Sequence, residues 1–592
     1  MNHQMKFEVG EVIAVQGIKI TLKVFENSNQ DTLYYEGTKY KGLSIREHVS
    51  IQRGFRDIIC LIEGEYLDER KFEEDGSKTQ YIRKVEAKPI GYFENDKFYE
   101  GIKFLPMIKD SAYLLPESKI SEIYSQDSEQ DFVIGNMLKE DIPISLSWHR
   151  IFNTHIGIFG NTGSGKSNTL AKLFTVLFEN KKDSMKDKSN FILLDFNGEY
   201  TSDQLITEKH KTILKLDTRK KDGDKFPLSL TEFWNLETLS ILFQATPITQ
   251  RPFIKRMING RSNFINNSES LLNYIKATIR DVFCAAYPKP DTLDLVRHIS
   301  KITKNDELSE ILKTINWNGT RNNFYIDSPQ IYFDSDGAKY LMHIKPLVDN
   351  TNINDLDQFD ELMLRANLQL TKDLLYGYVQ YEHIQPLLKR VESSLYDLRK
   401  VLKMEERDPS DKLLTIISLK RCNQEMKKVL PLLIVKHFYH QHKDIVKSPI
   451  NKTLHFVVDE AHNILSQKSK REAESWKDYR LELFEEIIKE GRKFGVFLTL
   501  ASQRPADISP TIISQIHNFF IHRLVNDRDL FLLDNTISSL DHVSRNLIPS
   551  LSKGACVVTG TSFDLPMLLQ IDILKKDKQP DSDDVNLKAL WS

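Results

Sequence analysis

Eight consecutive residues, Gly160-Asn161-Thr162-Gly163-Ser164-Gly165-Lys166-Ser167, follow the spacing Gly-x-x-x-x-Gly-Lys-Ser. A chain of phosphates needs many N–H donors converging on it, and glycines let the backbone turn tightly enough to supply them. The dipole of a following helix adds to the same site. Lys166 is placed to reach the β- and γ-phosphates, and the Ser167 hydroxyl to bind Mg²⁺. Asn168, next in the chain, is grouped with the loop. The flanks suit the assignment. "HIGIF" reads as a buried strand, and "SNTLAKLFTVLF" as an amphipathic helix. The chemistry implied is binding of ATP with Mg²⁺.

A second constellation lies almost three hundred residues on. "LHFVVDE" (Leu454–Glu460) ends an apolar run in two adjacent carboxylates. At the C-terminal end of a strand such a pair divides its work: Asp459 holds a water on the metal, and Glu460 orients and activates the attacking water. If "VFLTLAS" (Val496–Ser502) is the neighbouring strand, Gln503 stands at its tip near the γ-phosphate. A neutral amide there can hydrogen-bond both phosphate and water. Arg492 ends the helix before that strand. It can satisfy its own helix dipole, or reach the γ-phosphate of a neighbouring subunit.

These groups need a scaffold. A chain of 592 residues exceeds one core, and 40% hydrophobic with 28% charged residues is ordinary for a soluble globular protein. No apolar run approaches a membrane span, and the first residues lack a signal-peptide h-region. Cys60, Cys284, Cys422 and Cys556 lie far apart without metal-site spacing. A cytoplasmic protein with no membrane contact is expected. The net charge of −2 excludes a basic coat but not a local basic channel.

Residues 1–130 alternate in short strands with Gly, Pro and Asn-Asp turns, as in a small β-barrel or sandwich, and the polar stretch Ser121–Asp131 reads as a boundary. From His155 onward, short apolar strands alternate with helices: Phe191–Phe196, Leu454–Glu460, Val496–Ser502 and Asn518–Leu524. This is the pattern of an α/β fold with a parallel sheet buried on both faces. The expected organisation is a barrel over 1–130, an ATPase core from 131–200 and 449–575, a mostly helical insertion over 201–448, and a tail over 576–592.

In this order, "GNTGSGKS", "DFNGEY", "VVDEAHN", "EGRKFGVFLTLASQRP" and "LSKGACVVTG" resemble HerA of the HerA/FtsK superfamily of hexameric DNA-pumping ATPases. The N-terminal "GEVIAVQG" and "FYEGIKFLPMIKDSAYLL" resemble the barrel of that family, while 200–450 matches only loosely. The resemblance implies a RecA-like P-loop core, a homohexamer on double-stranded DNA, helicase or translocase activity driven by ATP, and a nuclease or other effector subunit docked through the barrel. It also admits an antiphage setting, in which the ring chiefly assembles and activates an effector. It makes Asp459 and Glu460 the Walker B pair, Gln503 the sensor, and Arg492 the leading candidate for an arginine acting in trans. Asp195 and Glu199 match a family motif, although Phe196 and Asn197 replace its usual Pro and His. Arg150 and Arg504 are further candidates near phosphate. Lys468, Lys470 and Arg471, in the loop after Walker B, are either DNA-phosphate contacts in the pore or an exposed basic loop.

Overall fold

The computed structural model describes residues 7–591 apart from 29, 31, 36, 72–78, 125–131, 264–268, 407–411, 468–473, 539, 541 and 583–586. The N-terminal strands close into a barrel. Lys19–Val24 pairs with Glu8–Gln16 on one side and Thr79–Glu94 on the other, and Ser111–Leu114, His48–Arg53 and Arg56–Lys71 complete the circuit. Register shifts at Val12/Ala14, Ile59/Cys60 and Ile62/Gly64 supply the curvature that closure needs. The inward positions form one core, including Val12, Ile20, Leu22, Val49, Ile51, Ile58 and Val85.

The polar stretch expected as a boundary at Ser121–Asp131 begins inside a helix, and 125–131 lie outside the described residues. Helix Glu117–Tyr124 buries Ile120, Ile123 and Tyr124. These join Ile59 and Phe93 of the barrel in a core shared with Phe132, Ile158 and Phe174 of the following domain. The period of apolar residues, not the polar composition, decides this segment.

An 11-stranded sheet forms the centre of the molecule. Its parallel part runs Asn518–Ile521, Ile156–Phe159, Val496–Ser502, Thr453–Val458, Ser189–Asp195, Leu414–Arg421, Lys211–Asp217 in spatial order. An antiparallel wing adds Ala555–Gly560, Met567–Ile571, Val133–Met137 and Pro143–Ser145. Alternate residues feed separate cores on the two faces: Ile192 and Leu194 point to one, Phe191 and Leu193 to the other. Burial on both faces explains why these strands read as unbroken apolar runs.

The sheet reaches into the span expected to be a helical insertion. Lys211–Asp217 and Leu414–Arg421 are two of its parallel strands, and helix Gln424–Ile445 packs in the main core. A short apolar run such as "LLTIISL" does not distinguish a buried strand from a helix by periodicity. The helical part proper lies between these strands and contains its own core, built on Ile275, Ile279, Val296, Leu312, Phe324 and Leu368.

Parallel register sets what emerges at the C-terminal edge. Phe159 is level with Ser502, Val458 with Leu500, and Leu194 with Val458. The chain therefore leaves four adjacent strands at Gly160, Phe196, Asp459 and Gln503 along one line. Open parallel sheets bind ligands at that edge.

Candidate active site

The glycines at the first strand exit are required by contact as well as by conformation. Gly165 has φ of 114°, and a Cβ there would lie 2.8 Å from the Cα of Gly554. A Cβ on Gly160 would meet His522 at 2.6 Å. The loop is held from both sides: Asn161 N–H donates to the Arg523 carbonyl at 2.9 Å, and Gly554 N–H to the Ser164 carbonyl at 2.8 Å. Helix Lys166–Met185 begins directly after it. Its apolar face, with Leu170, Leu173, Phe174, Leu177 and Phe178, packs under the sheet.

His522 supports the loop from below. Its Nδ1 lies 2.9 Å from the Ala555 carbonyl, and its Nε2 lies 2.8 Å from Thr169 Oγ1. The carbonyl only accepts, so Nδ1 carries the proton and Nε2 accepts from Thr169. Burial lowers this imidazole to about 4, and it is neutral at physiological pH.

Lys166 does not point into empty space. Its Nζ donates to Glu460 Oε1 at 2.9 Å and lies 4.0 Å from Asp459 Oδ1. Both partners of the closer pair are nearly buried, with side chains 6% and 11% exposed. Glu460 has φ of 49°, rare for a residue with a side chain, and its N–H donates to Asp459 Oδ1 at 3.0 Å. Such backbone persists only where its surroundings enforce it, and it concentrates at functional sites. His462 Nδ1 lies 3.3 Å from Glu460 Oε2 and 3.3 Å from Ser502 Oγ, tying the carboxylate to the next strand tip.

The two acids are poised differently. Burial pushes Asp459 up to about 8, with Glu199, Glu460 and Asp195 adding to the effect and Lys166 opposing it. Burial also works against the Glu460 anion, but His462 and Lys166 outweigh it and hold that carboxyl down at about 2. Asp459 Oδ2 is buried without a hydrogen-bond partner. A lone oxygen in this position fits an Mg²⁺ site, since a cation or its water would satisfy it and favour the anion. Asp459 and the Ser167 hydroxyl, in the first turn of the loop helix, would hold the ion.

Gln503 reaches the loop itself: Thr162 Oγ1 donates to its Oε1 at 2.5 Å. Beside them opens a cleft of about 610 Å³ lined by Asn161, Thr162, Gln503, Arg504, Arg523 and Arg528 among others. Arg504 is exposed there. Arg523 and Arg528 were not among the residues singled out in the sequence; they follow a short strand in "IHRLVNDRD", with no spacing that marks them.

Asp195 braces a turn. Its carboxylate accepts backbone N–H bonds from Gly198, Glu199 and Tyr200 at 2.6, 3.1 and 3.1 Å. Glu199 Oε1 accepts from Asn197 Nδ2 at 3.3 Å, and its buried Oε2 has no partner. The Asn168 amide is committed elsewhere: it donates to the Asp572 carbonyl at 3.0 Å and accepts from Leu574 N–H at 3.4 Å. It anchors the loop helix to the C-terminal segment.

Arg150 and Arg492 lie at the opposite edge of the sheet. Arg150 points to the Thr561 carbonyl at 3.3 Å and to Asp564 at 3.5 Å. Arg492 sits in the 3₁₀ turn Gly491–Phe494, after helix Glu474–Glu490, with Nη1 2.9 Å from His517 Nε2. His517 immediately precedes strand Asn518–Ile521, so Arg492 is at the amino end of the strands whose carboxyl ends carry the P-loop. Lys468, Lys470 and Arg471 lie outside the described residues.

Comparison with known proteins leads to the same place. Residues 132–371 match the family model "Helicase HerA, central domain". The DNA double-strand break repair helicase HerA of Pyrococcus furiosus is 22% identical over 488 residues, covering 80% of this chain and 75% of the relative. Its namesake from Sulfurisphaera tokodaii is 22% identical over 497 residues, covering 82% and 77%. Among solved structures, the bacterial conjugative coupling protein TrwB superposes with a TM-score of 0.42 at 11% identity, covering 79% of this chain and 94% of its own. VirB4 of Thermoanaerobacter pseudethanolicus gives 0.41 at 12%, covering 77% and 100%. No helix among the described residues is long and apolar enough to cross a membrane. Residues 132–371 thus resemble the central domain of the HerA helicases, and the similarity to HerA relatives extends over most of the chain.

Proposed function

We propose that the chain hydrolyses Mg-ATP at the Lys166–Asp459–Glu460–Gln503 edge, and that six copies in a ring use this to move along double-stranded DNA in the cytoplasm. The observation that carries the reading is the buried contact of Lys166 with Glu460 at 2.9 Å. It joins the phosphate-binding lysine to the carboxylate that activates water, across 294 residues of chain.

In this mechanism the arriving triphosphate displaces Glu460 from Lys166, and the lysine transfers to the β- and γ-oxygens. Loop N–H groups take the remaining phosphate charge. Ser167 and Asp459 would hold Mg²⁺, which would supply charge neutralisation on the phosphates. Glu460, released from Lys166 and still tethered by His462, accepts the proton of the attacking water. Gln503 orients that water and the γ-phosphate. Asp195 keeps the turn beneath Glu199 rigid, and Asn168 keeps the helix start in place.

Arg492 supports the ring. Because it stands at the far edge of its own sheet, it serves a nucleotide only across a subunit boundary, where it stabilises transition-state charge. Phe531 and Val525, 68% and 59% exposed near the arginine-lined cleft, suit burial against a neighbour. In this reading Lys468, Lys470 and Arg471 contact DNA phosphates, and the barrel receives a nuclease or other effector, as a repair or defence motor requires.

The test is turnover and mass measured together, with and without double-stranded DNA. A hexamer whose ATP turnover rises with DNA supports the motor. A hexamer indifferent to DNA favours an ATP-regulated scaffold for an effector. A monomer with full turnover overturns the ring.

A further inference from the structure

Glu47, His48 and Glu140 meet in the seam between the barrel and the ATPase domain, and none of them is among the residues assigned above. Among the described residues they form the one group of three metal-binding side chains whose ligand atoms all lie within 4.8 Å of one another. All three are buried. Glu47 precedes barrel strand His48–Arg53, of which His48 is the first residue. Glu140 comes from the turn between Val133–Met137 and Pro143–Ser145 in the other domain.

The imidazole is the informative member. Its Nε2 lies 2.8 Å from Tyr124 Oη, while Nδ1 is buried, has no hydrogen-bond partner, and faces Glu140 Oε1 at 3.5 Å. The His48 side chain is only 1% exposed and that of Glu140 3%. A protonated histidine would draw a carboxylate to about 2.7–2.9 Å. A gap of 3.5 Å is too long for that bond. It is the spacing of two ligands on one ion, because donors about 2.1 Å from a tetrahedral centre stand about 3.4 Å apart. The Tyr124 contact on the other ring nitrogen is the outer partner that fixes a ligating histidine's tautomer. Lys139 approaches Glu47 Oε1 at 3.3 Å from the rim, 37% exposed, and also binds Ser44 and Ile45. It answers Glu47 from outside and leaves the space between His48 and Glu140 to a cation.

We propose that Glu47, His48 and Glu140 bind a divalent transition ion that clamps the barrel to the motor. One imidazole and two carboxylates suit Zn²⁺ or Mn²⁺, and a closed, buried setting is that of a structural ion.

The experiment uses the untagged full chain, stripped with chelator in the absence of nucleotide, then dialysed against Zn²⁺, Mn²⁺ or Co²⁺. Metal retained after gel filtration is counted by mass spectrometry. One equivalent per chain is expected, lost in Glu140→Gln and in His48→Asn, and kept in Asp459→Asn, which separates it from the nucleotide site. Tyr124→Phe should weaken retention about 10- to 100-fold. The Co²⁺ form of the wild-type chain should show visible absorption of a low-coordinate N/O site, which requires no variant to fold. Should the wild-type chain retain none of the three metals, or should Glu140→Gln and His48→Asn retain them fully, the seam is a plain ion-pair network and the proposal is wrong.

Discussion

Glu460→Gln separates two roles that the proposed mechanism gives to one carboxylate. In the resting site it holds Lys166 away from the phosphates; during hydrolysis it takes a proton from water. The Lys166 contact is 2.9 Å long and nearly buried, so solvent screens it little. A hydrogen bond to a charged acceptor contributes about 1.5–3 kcal/mol and a neutral one about 0.5–1.5. An amide keeps the acceptor and loses the charge, which loosens the hold on Lys166 by about 1–1.5 kcal/mol. At about 1.4 kcal/mol per tenfold, nucleotide affinity should rise about 5- to 12-fold. Loss of a general base should meanwhile cut turnover about 10²- to 10⁴-fold. Binding of a fluorescent ATP analogue and steady-state phosphate release read the two effects on one preparation. Lys166→Ala is the control, in which affinity and turnover fall together. Weaker binding by Glu460→Gln would refute the resting clasp, and turnover within tenfold of wild type would refute the base.

Arg492→Ala should slow hydrolysis by about 10³-fold or more while sparing ATP affinity, and mixing it with Glu460→Gln protein under subunit exchange should restore some activity. Absence of any rescue would make Arg492 a local brace on His517. Asp459, raised to about 8 in the resting site, is protonated at neutral pH and must ionise to hold Mg²⁺. Mg-nucleotide affinity should therefore rise up to tenfold per pH unit up to about pH 8 and level off above it. Calorimetry in buffers of different ionisation enthalpy should show a proton released at pH 7, and a buffer-independent heat there would contradict the assignment. Asp195→Asn leaves some of three backbone N–H donors opposite an amide N–H₂. A loss of roughly 2–4 kcal/mol is expected from thermal or urea unfolding; a variant within about 0.5 kcal/mol of wild type would show the turn is held by other contacts.

What the sequence makes legible here is local. A phosphate loop is eight adjacent residues with strand and helix on either side, and its geometry is written in their spacing. Strands such as Val496–Ser502 stand out because a sheet covered on both faces needs unbroken apolar runs. The parallel strands Lys211–Asp217 and Leu414–Arg421 are less visible, since each is defined by a partner about two hundred residues away. His522 under the loop and the arginines 523 and 528 beside it belong to the same class. Nothing in "IHRLVNDRD" distinguishes a residue lining the cleft from one facing bulk solvent.

Arg492 shows how the two kinds of information combine. Its neighbours in sequence allow either a helix-end brace or a contact with another subunit's nucleotide. The fold adds that the strands on each side of it run parallel, which places the residue at the edge opposite its own P-loop. A contact in cis is thereby ruled out by topology, because the thickness of the sheet's strands separates the two edges. Either the guanidinium serves only its histidine neighbour, or it serves a different chain. If it serves a different chain, the resting clasp of Lys166 by Glu460 acquires a purpose. A subunit that meets ATP without its neighbour lacks the charge needed for the transition state, and a site that is self-paired until nucleotide and neighbour are both present wastes little ATP. In mixed rings, activity should then follow the number of interfaces that pair an intact Glu460 with an intact Arg492, rather than the number of intact chains.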